Sequence, residues 1–170
     1  MLKKIRRVLI LSTGVLFILS QAVFAQVNPE LIKALNQVLI WDIHIMRQCE
    51  SHSEQFSIFI PYNQIISEKQ QSVKALSELI DFFGADINDT RIENEKSLHD
   101  YQALNLDAYA QTQGIMLYDN LLNKFGHPKV QAFAIKAKNQ AYVHYMLLST
   151  AAQQLIAARQ TADIAQINQP

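Results

Sequence analysis

Four polar residues stand where apolar ones should be, and their types could do chemistry. Asp42, Lys69, Gln111 and His144 each interrupt an apolar helical stripe near its middle. A carboxylate and an ammonium withdrawn from water are costly unless paired and hydrogen-bonded. Their opposite charges therefore predict a buried ion pair, with Gln111 and His144 completing a polar layer across the core. The alternative places Asp42 or Lys69 at the stripe's edge, where a lysine stem lies on apolar surface and its ammonium reaches water. His44 and His52 lie two turns apart and off the stripe, which predicts a solvated face. His99 and Asp100 are adjacent, so on a helix their side chains diverge. No activated nucleophile follows them, and no catalytic residue is assigned. Cys49 is the single cysteine. Its apolar face predicts an inert buried thiol, the alternative being a disulfide-linked dimer.

The elements that must position these residues are marked by scarce breakers, four glycines and four prolines in 170 residues. Asn28-Pro29 is a cap followed by proline at the first helical position, which predicts α1 over about 29–52. Pro61 opens α2, about 61–83, and Gly84 closes it. The polar stretch 84–96 has no apolar period and reads as a long crossover. The period returns over about 97–125 as α3, with a candidate break near Leu104–Asp107. Gly126 and Pro128 separate it from α4, about 128–158, and residues 159–170 form a polar tail whose order the pattern leaves open. No segment alternates with the period of two that a half-buried strand requires. The expected fold is an all-α antiparallel four-helix bundle, with a long crossover between its second and third helices. Its apolar stripes run through Leu35, Val38 and Ile45 in α1 and Ile66, Val73, Leu76 and Ile80 in α2. They continue through Leu104, Ala108, Ile115 and Tyr118 in α3 and Ala134, Ala137, Ala141 and Leu148 in α4.

Helices with an inward polar layer resemble the ferritin-like superfamily, in which two helices each give a carboxylate and two give Glu-x-x-His. The local sequence is similar to an uncharacterised branch of that superfamily, small bacterial proteins that are often exported. The resemblance lies in "LIWDIHIMRQC", "PYNQIISEKQQSVKALSELIDFFG", "GIMLYDNLLNKFGHPKV" and "KNQAYVHYML", and covers nearly all of residues 26–158. It places the di-metal ligand positions on Asp42, on Lys69 and Ser72, on Gln111, and on Ala141 and His144. Only Asp42 and His144 keep ligand types. Glu68 is not expected to replace the missing glutamate, because one residue turns a helical side chain by about 100°. A di-iron centre needs several carboxylates. Here a single carboxylate faces a lysine, whose charge would stand in for the metal. The resemblance thus implies a degenerate metal site and no cofactor, iron and manganese included.

The start of the chain has the three-part form of a secretory signal peptide over 1–25: Lys3, Lys4, Arg6 and Arg7, an apolar run from Val8 to Leu19, and small residues before Gln26. The expectation is an exported, periplasmic protein with no stable membrane anchor after cleavage, an uncleaved anchor being the alternative. With four of the fifteen cations in that leader, eleven face fifteen carboxylates in the body. Such a balance offers no basic footprint for nucleic acid. The apolar loop Ile58, Phe59, Ile60 and Tyr62 is expected to cap one end of the bundle or to form a partner surface. The functional expectation is a non-enzymatic binding or structural module with an unknown protein partner or self-association. The alternatives are a metal-binding or redox protein with an altered site, and an envelope helper dimerising through the loop or Cys49.

Overall fold

The computed structural model describes residues 28–87, 97 and 99–167, with side chains to 164. The expected leader and most of the crossover lie outside the described residues.

Four α-helices make up the fold, and no strand occurs among the described residues. α1 is Pro29–Phe56, and its start follows the capping rule, with Asn28 Oδ1 accepting from the Glu30 amide at 2.9 Å. It continues past the expected residue 52 because nothing breaks it before Ser57, which takes a positive φ of 54°. α2 is Tyr62–Phe82, followed by Gly84 at φ 67°. α3 is Asp100–Lys124 and runs unbroken through Leu104–Asp107, because Asp107 is buried among partners instead of marking a turn. α4 is Pro128–Ile167. It replaces most of the expected polar tail, since no glycine or proline intervenes and alanine, the best helix former, recurs. None of these helices is long and apolar enough to cross a membrane.

The helices pack around a common core in a closed set of neighbours. α1 touches α2 and α3, and α4 touches α2 and α3. α3 and α4 share the most extensive contact, while on the other side of α3 Gly114 leaves room for the Trp41 ring of α1, whose Nε1 donates to the Ala110 carbonyl at 3.2 Å. The core has two apolar parts. One contains Leu35, Leu39, Leu76, Ile80, Leu121 and Val130; the other Ile45, Ile65, Leu104 and Leu148. Each fully buried leucine or isoleucine contributes about 1.5–3 kcal/mol. In every helix the interrupting polar residue falls, along the sequence, between members of these two parts. The polar layer therefore separates two apolar halves.

Candidate functional site

Asp42 is fully buried and both its oxygens are engaged. Lys69 Nζ donates to Oδ1 at 2.6 Å, Tyr118 OH donates to the same oxygen at 2.5 Å, and Ser72 Oγ donates to Oδ2 at 2.7 Å. Lys69 Nζ also donates to Tyr118 OH at 2.9 Å. Lys69 and Ser72 are three residues apart and share one face of α2, so both meet the carboxylate that α1 presents. The lysine is 2 % exposed; it points inward and does not reach water. Burial, then the Asp42 charge, pushes the Tyr118 hydroxyl well above its ordinary range, so it keeps its proton and donates. Tyr118 reads from the sequence as one more apolar stripe residue. The missed signal is that a buried tyrosine needs a partner for its hydroxyl.

The other two members of the expected layer do not join this pair. Gln111 is fully buried, yet among the described residues neither of its side-chain amide atoms has a hydrogen-bond partner. His144 is buried and places Nε2 3.0 Å from Glu68 Oε2, not on Asp42. Glu68 also accepts from Gln64 at 2.9 Å and from Gln140 at 3.2 Å. The 100° turn between Glu68 and Lys69 does remove Glu68 from Asp42. But α2 has neighbours on two sides, so the same turn that aims Lys69 at α1 aims Glu68 at α4. Burial, then the Lys69 charge, lowers the His144 pKa. Partial burial would raise the Glu68 carboxyl, yet hydrogen bonds from Gln64, His144 and Gln140 outweigh it and lower the pKa. A neutral imidazole donating its Nε2–H to an ionised carboxylate satisfies both. Ala141 is fully buried and brings only a methyl group.

A second buried polar cluster was not foreseen in the sequence. Asp107 of α3 accepts from Gln48 Nε2 at 2.8 Å, from His52 Nδ1 at 2.8 Å and from Tyr62 OH at 2.6 Å. All four residues are at most 2 % exposed. An ionised carboxylate only accepts, so the imidazole places its proton on Nδ1. The expected solvated face for His44 and His52 is corrected here: both are buried, because α1 is covered on the α3 side as well as the α2 side. The readable signal was Gln48 and His52 at i, i+4 on α1, with Asp107 one turn from Gln111 on α3.

The loop 57–61 divides its apolar residues. Phe59 and Ile60 stand in solvent, while Ile58 is half-buried and its carbonyl accepts from Ser53 Oγ at 2.9 Å. Tyr62 is fully buried and belongs to the Asp107 cluster, so it leaves the expected partner surface. Cys49 is fully buried, and burial, then the Asp107 charge, pushes its thiol well above the usual value. A thiol so placed is unavailable for a disulfide between copies. His99 stacks on Tyr101, with centroids 5.6 Å apart, and Asp100 pairs with Arg159 at 2.6 Å. Nothing there assembles an acid–base pair with a nucleophile.

No model of a known protein family matches the chain, and no curated protein matches it. The metal centre that the ferritin-like resemblance implies can still be tested against the residues present. Asp42 has both oxygens committed, Lys69 offers a charged ammonium without a lone pair, and Ala141 offers no donor. Among the described residues no three His, Cys, Asp or Glu side chains are grouped so that they could hold a metal ion. The donor set does not fit a di-metal centre.

Proposed function

We propose that the protein is a non-enzymatic, exported, ferritin-like antiparallel helical bundle whose former di-metal level is occupied by an ion pair. It works in the periplasm as a binding or structural module. The observation that carries this reading is Lys69 Nζ on Asp42 Oδ1, closed by Ser72 and Tyr118. The ammonium sits against the carboxylate that a metal would need, and it supplies the compensating positive charge itself. The order of the cross-helix partners supports the antiparallel arrangement. Asp42 meets Tyr118 while Gln48 meets Asp107, and Asp119 meets Lys138 while Asp100 meets Arg159.

Metal analysis of protein purified without chelators, and again after incubation with ferrous or manganous ions, tests the reading. The expected result is no stoichiometric metal in either preparation. Stoichiometric metal that is lost in both Asp42→Asn and His144→Gln would overturn it and favour the metal-binding alternative.

A further inference from the structure

α2 and α4 share the least extensive of the four helix contacts, and both parts of the divided polar layer reach that seam. Ser72 belongs to the Asp42 group, its Oγ donating to Oδ2 at 2.7 Å. Gln140 belongs to the Glu68–His144 group, its Nε2 donating to Glu68 Oε2 at 3.2 Å. Among the described residues no hydrogen bond joins the two groups. The seam holds a cavity of about 30 Å³, and Ser72 and Gln140 both line it, with Gln71, Ala75, Lys136 and Ala137 among the others. A buried water needs roughly 10–15 Å³ of such space and two to four polar partners.

The chemistry of the walls selects the occupant. Ser72 is 8 % exposed and spends its only proton on Asp42, so towards the cavity its oxygen can only accept. Gln140 spends an Nε2 proton on Glu68, and no described residue donates to its Oε1, a second acceptor. Two acceptors disfavour an anion, and the Lys136 ammonium disfavours a cation. A neutral molecule that donates twice suits both walls, and the space admits little more than water.

We propose that this cavity is a water-binding site, in which one molecule donates to Ser72 Oγ and to Gln140 Oε1 and joins the two groups into one network. Gln71, on the same cavity, can donate to the water's oxygen. Asp42 is then linked through Ser72, the water and Gln140 to Glu68 and His144. The layer that protein atoms leave in two parts becomes continuous. A bridging water is enthalpically nearly as good as a direct bond, so a change at one wall is felt at the other. The inference goes beyond the reading of the protein as a binding or structural module and does not depend on it.

A crystal structure of the natively processed chain, refined with its solvent, and a double-mutant cycle read by urea unfolding test it. The cycle uses Ser72→Ala, Gln140→Ala and the double variant, and is repeated with Ala75→Leu. Position 75 is exposed, and a leucine there fills the cavity from its edge. Ser72→Ala also takes a donor from Asp42, so the coupling is informative and the single losses are not. The expected structure shows one ordered water within ~3.2 Å of both oxygens. The expected coupling is at least ~3-fold in the unfolding constant; it vanishes with Ala75→Leu and persists in Lys136→Met. A cavity that is dry, or filled by the Lys136 ammonium, overturns the proposal. Additive losses overturn it too, as does a coupling that survives Ala75→Leu or is lost in Lys136→Met.

Discussion

The bundle buries two aspartates, and it satisfies them differently. Asp42 meets a permanent cation, Lys69, with Ser72 and Tyr118 filling the remaining positions. Asp107 meets an amide, a phenol and an imidazole, from Gln48, Tyr62 and His52. The first cluster neutralises its charge within one residue pair, and the second spreads it over neutral or titratable donors. Both draw on the same three helices, α1, α2 and α3. The difference teaches that a fold can hold a buried carboxylate with or without a fixed counter-charge. What matters is that each oxygen of the buried carboxylate finds a donor. It also locates the functional argument, since only the cluster with the fixed cation lies at the level the resemblance assigns to a metal.

Removing the cation should separate the two clusters most sharply. Lys69→Met leaves Asp42 buried with hydroxyl donors alone, and breaking a buried pair from one side costs about 3–5 kcal/mol. Urea unfolding of Lys69→Met, Asp42→Leu and the double variant measures it. The double variant should recover most of the loss, because both the charge and its partner are gone. A single variant that melts like the wild type would mean that Asp42 does not depend on its cation.

The first cluster was legible in the sequence, and the second was not, for a physical reason. Asp42 and Lys69 interrupt stripes in helices that a short link makes neighbours, and opposite charges on facing stripes have one inexpensive arrangement. The second cluster lies on flanks, not on stripes. Gln48 and His52 sit on the side of α1 that α3 covers, and no single-helix pattern says which flank a third helix will cover. The same gap hides the partner of His144, because the 100° that turns Glu68 away from Asp42 does not by itself say that α4 lies on the side it turns to. Helix starts at Asn28-Pro29 and near Pro61 were legible because they rest on local chemistry. The end of α4 was not, because the polar composition of residues 159–167 does not say whether the helix goes on, and nothing local stops an alanine-rich helix.

Smaller effects should follow from removing one phenol from each carboxylate. Tyr118→Phe and Tyr62→Phe each delete a hydrogen bond to a charged acceptor, worth about 1.5–3 kcal/mol. Asp42 keeps Lys69 and Ser72, while Asp107 keeps Gln48 and His52 and no fixed cation. Tyr62→Phe should therefore be the more damaging, at the upper end of that range, as read from urea midpoints. Equal losses, or a larger loss from Tyr118→Phe, would show that the fixed counter-charge gives Asp42 no advantage.

The smallest effect concerns a titration at the edge of the first cluster. His144 is held neutral by burial and by the Lys69 charge, so its folded pKa lies below the ordinary 6.5. Between those two values the unfolded chain binds the proton and the folded chain does not, so stability rises with pH there. The contribution is fully present above 6.5 and is lost as the pH falls towards the folded value. Glu68 acts in the same direction at lower pH: its carboxyl lies below the usual 4.5, and its contribution fades as acid protonates it. The informative quantity is the difference between the two profiles, since everything but residue 144 is common to both proteins. Urea midpoints from about pH 8 down to about pH 3 should show less acid sensitivity below 6.5 in His144→Phe than in the wild type. The limb below 4.5 should persist, because Gln64 and Gln140 still donate to Glu68. Parallel profiles across the upper window would mean that His144 binds its proton equally well in the folded and the unfolded chain. The lowering by burial and by the Lys69 charge would then be matched by the pull of the Glu68 carboxylate on the same ring.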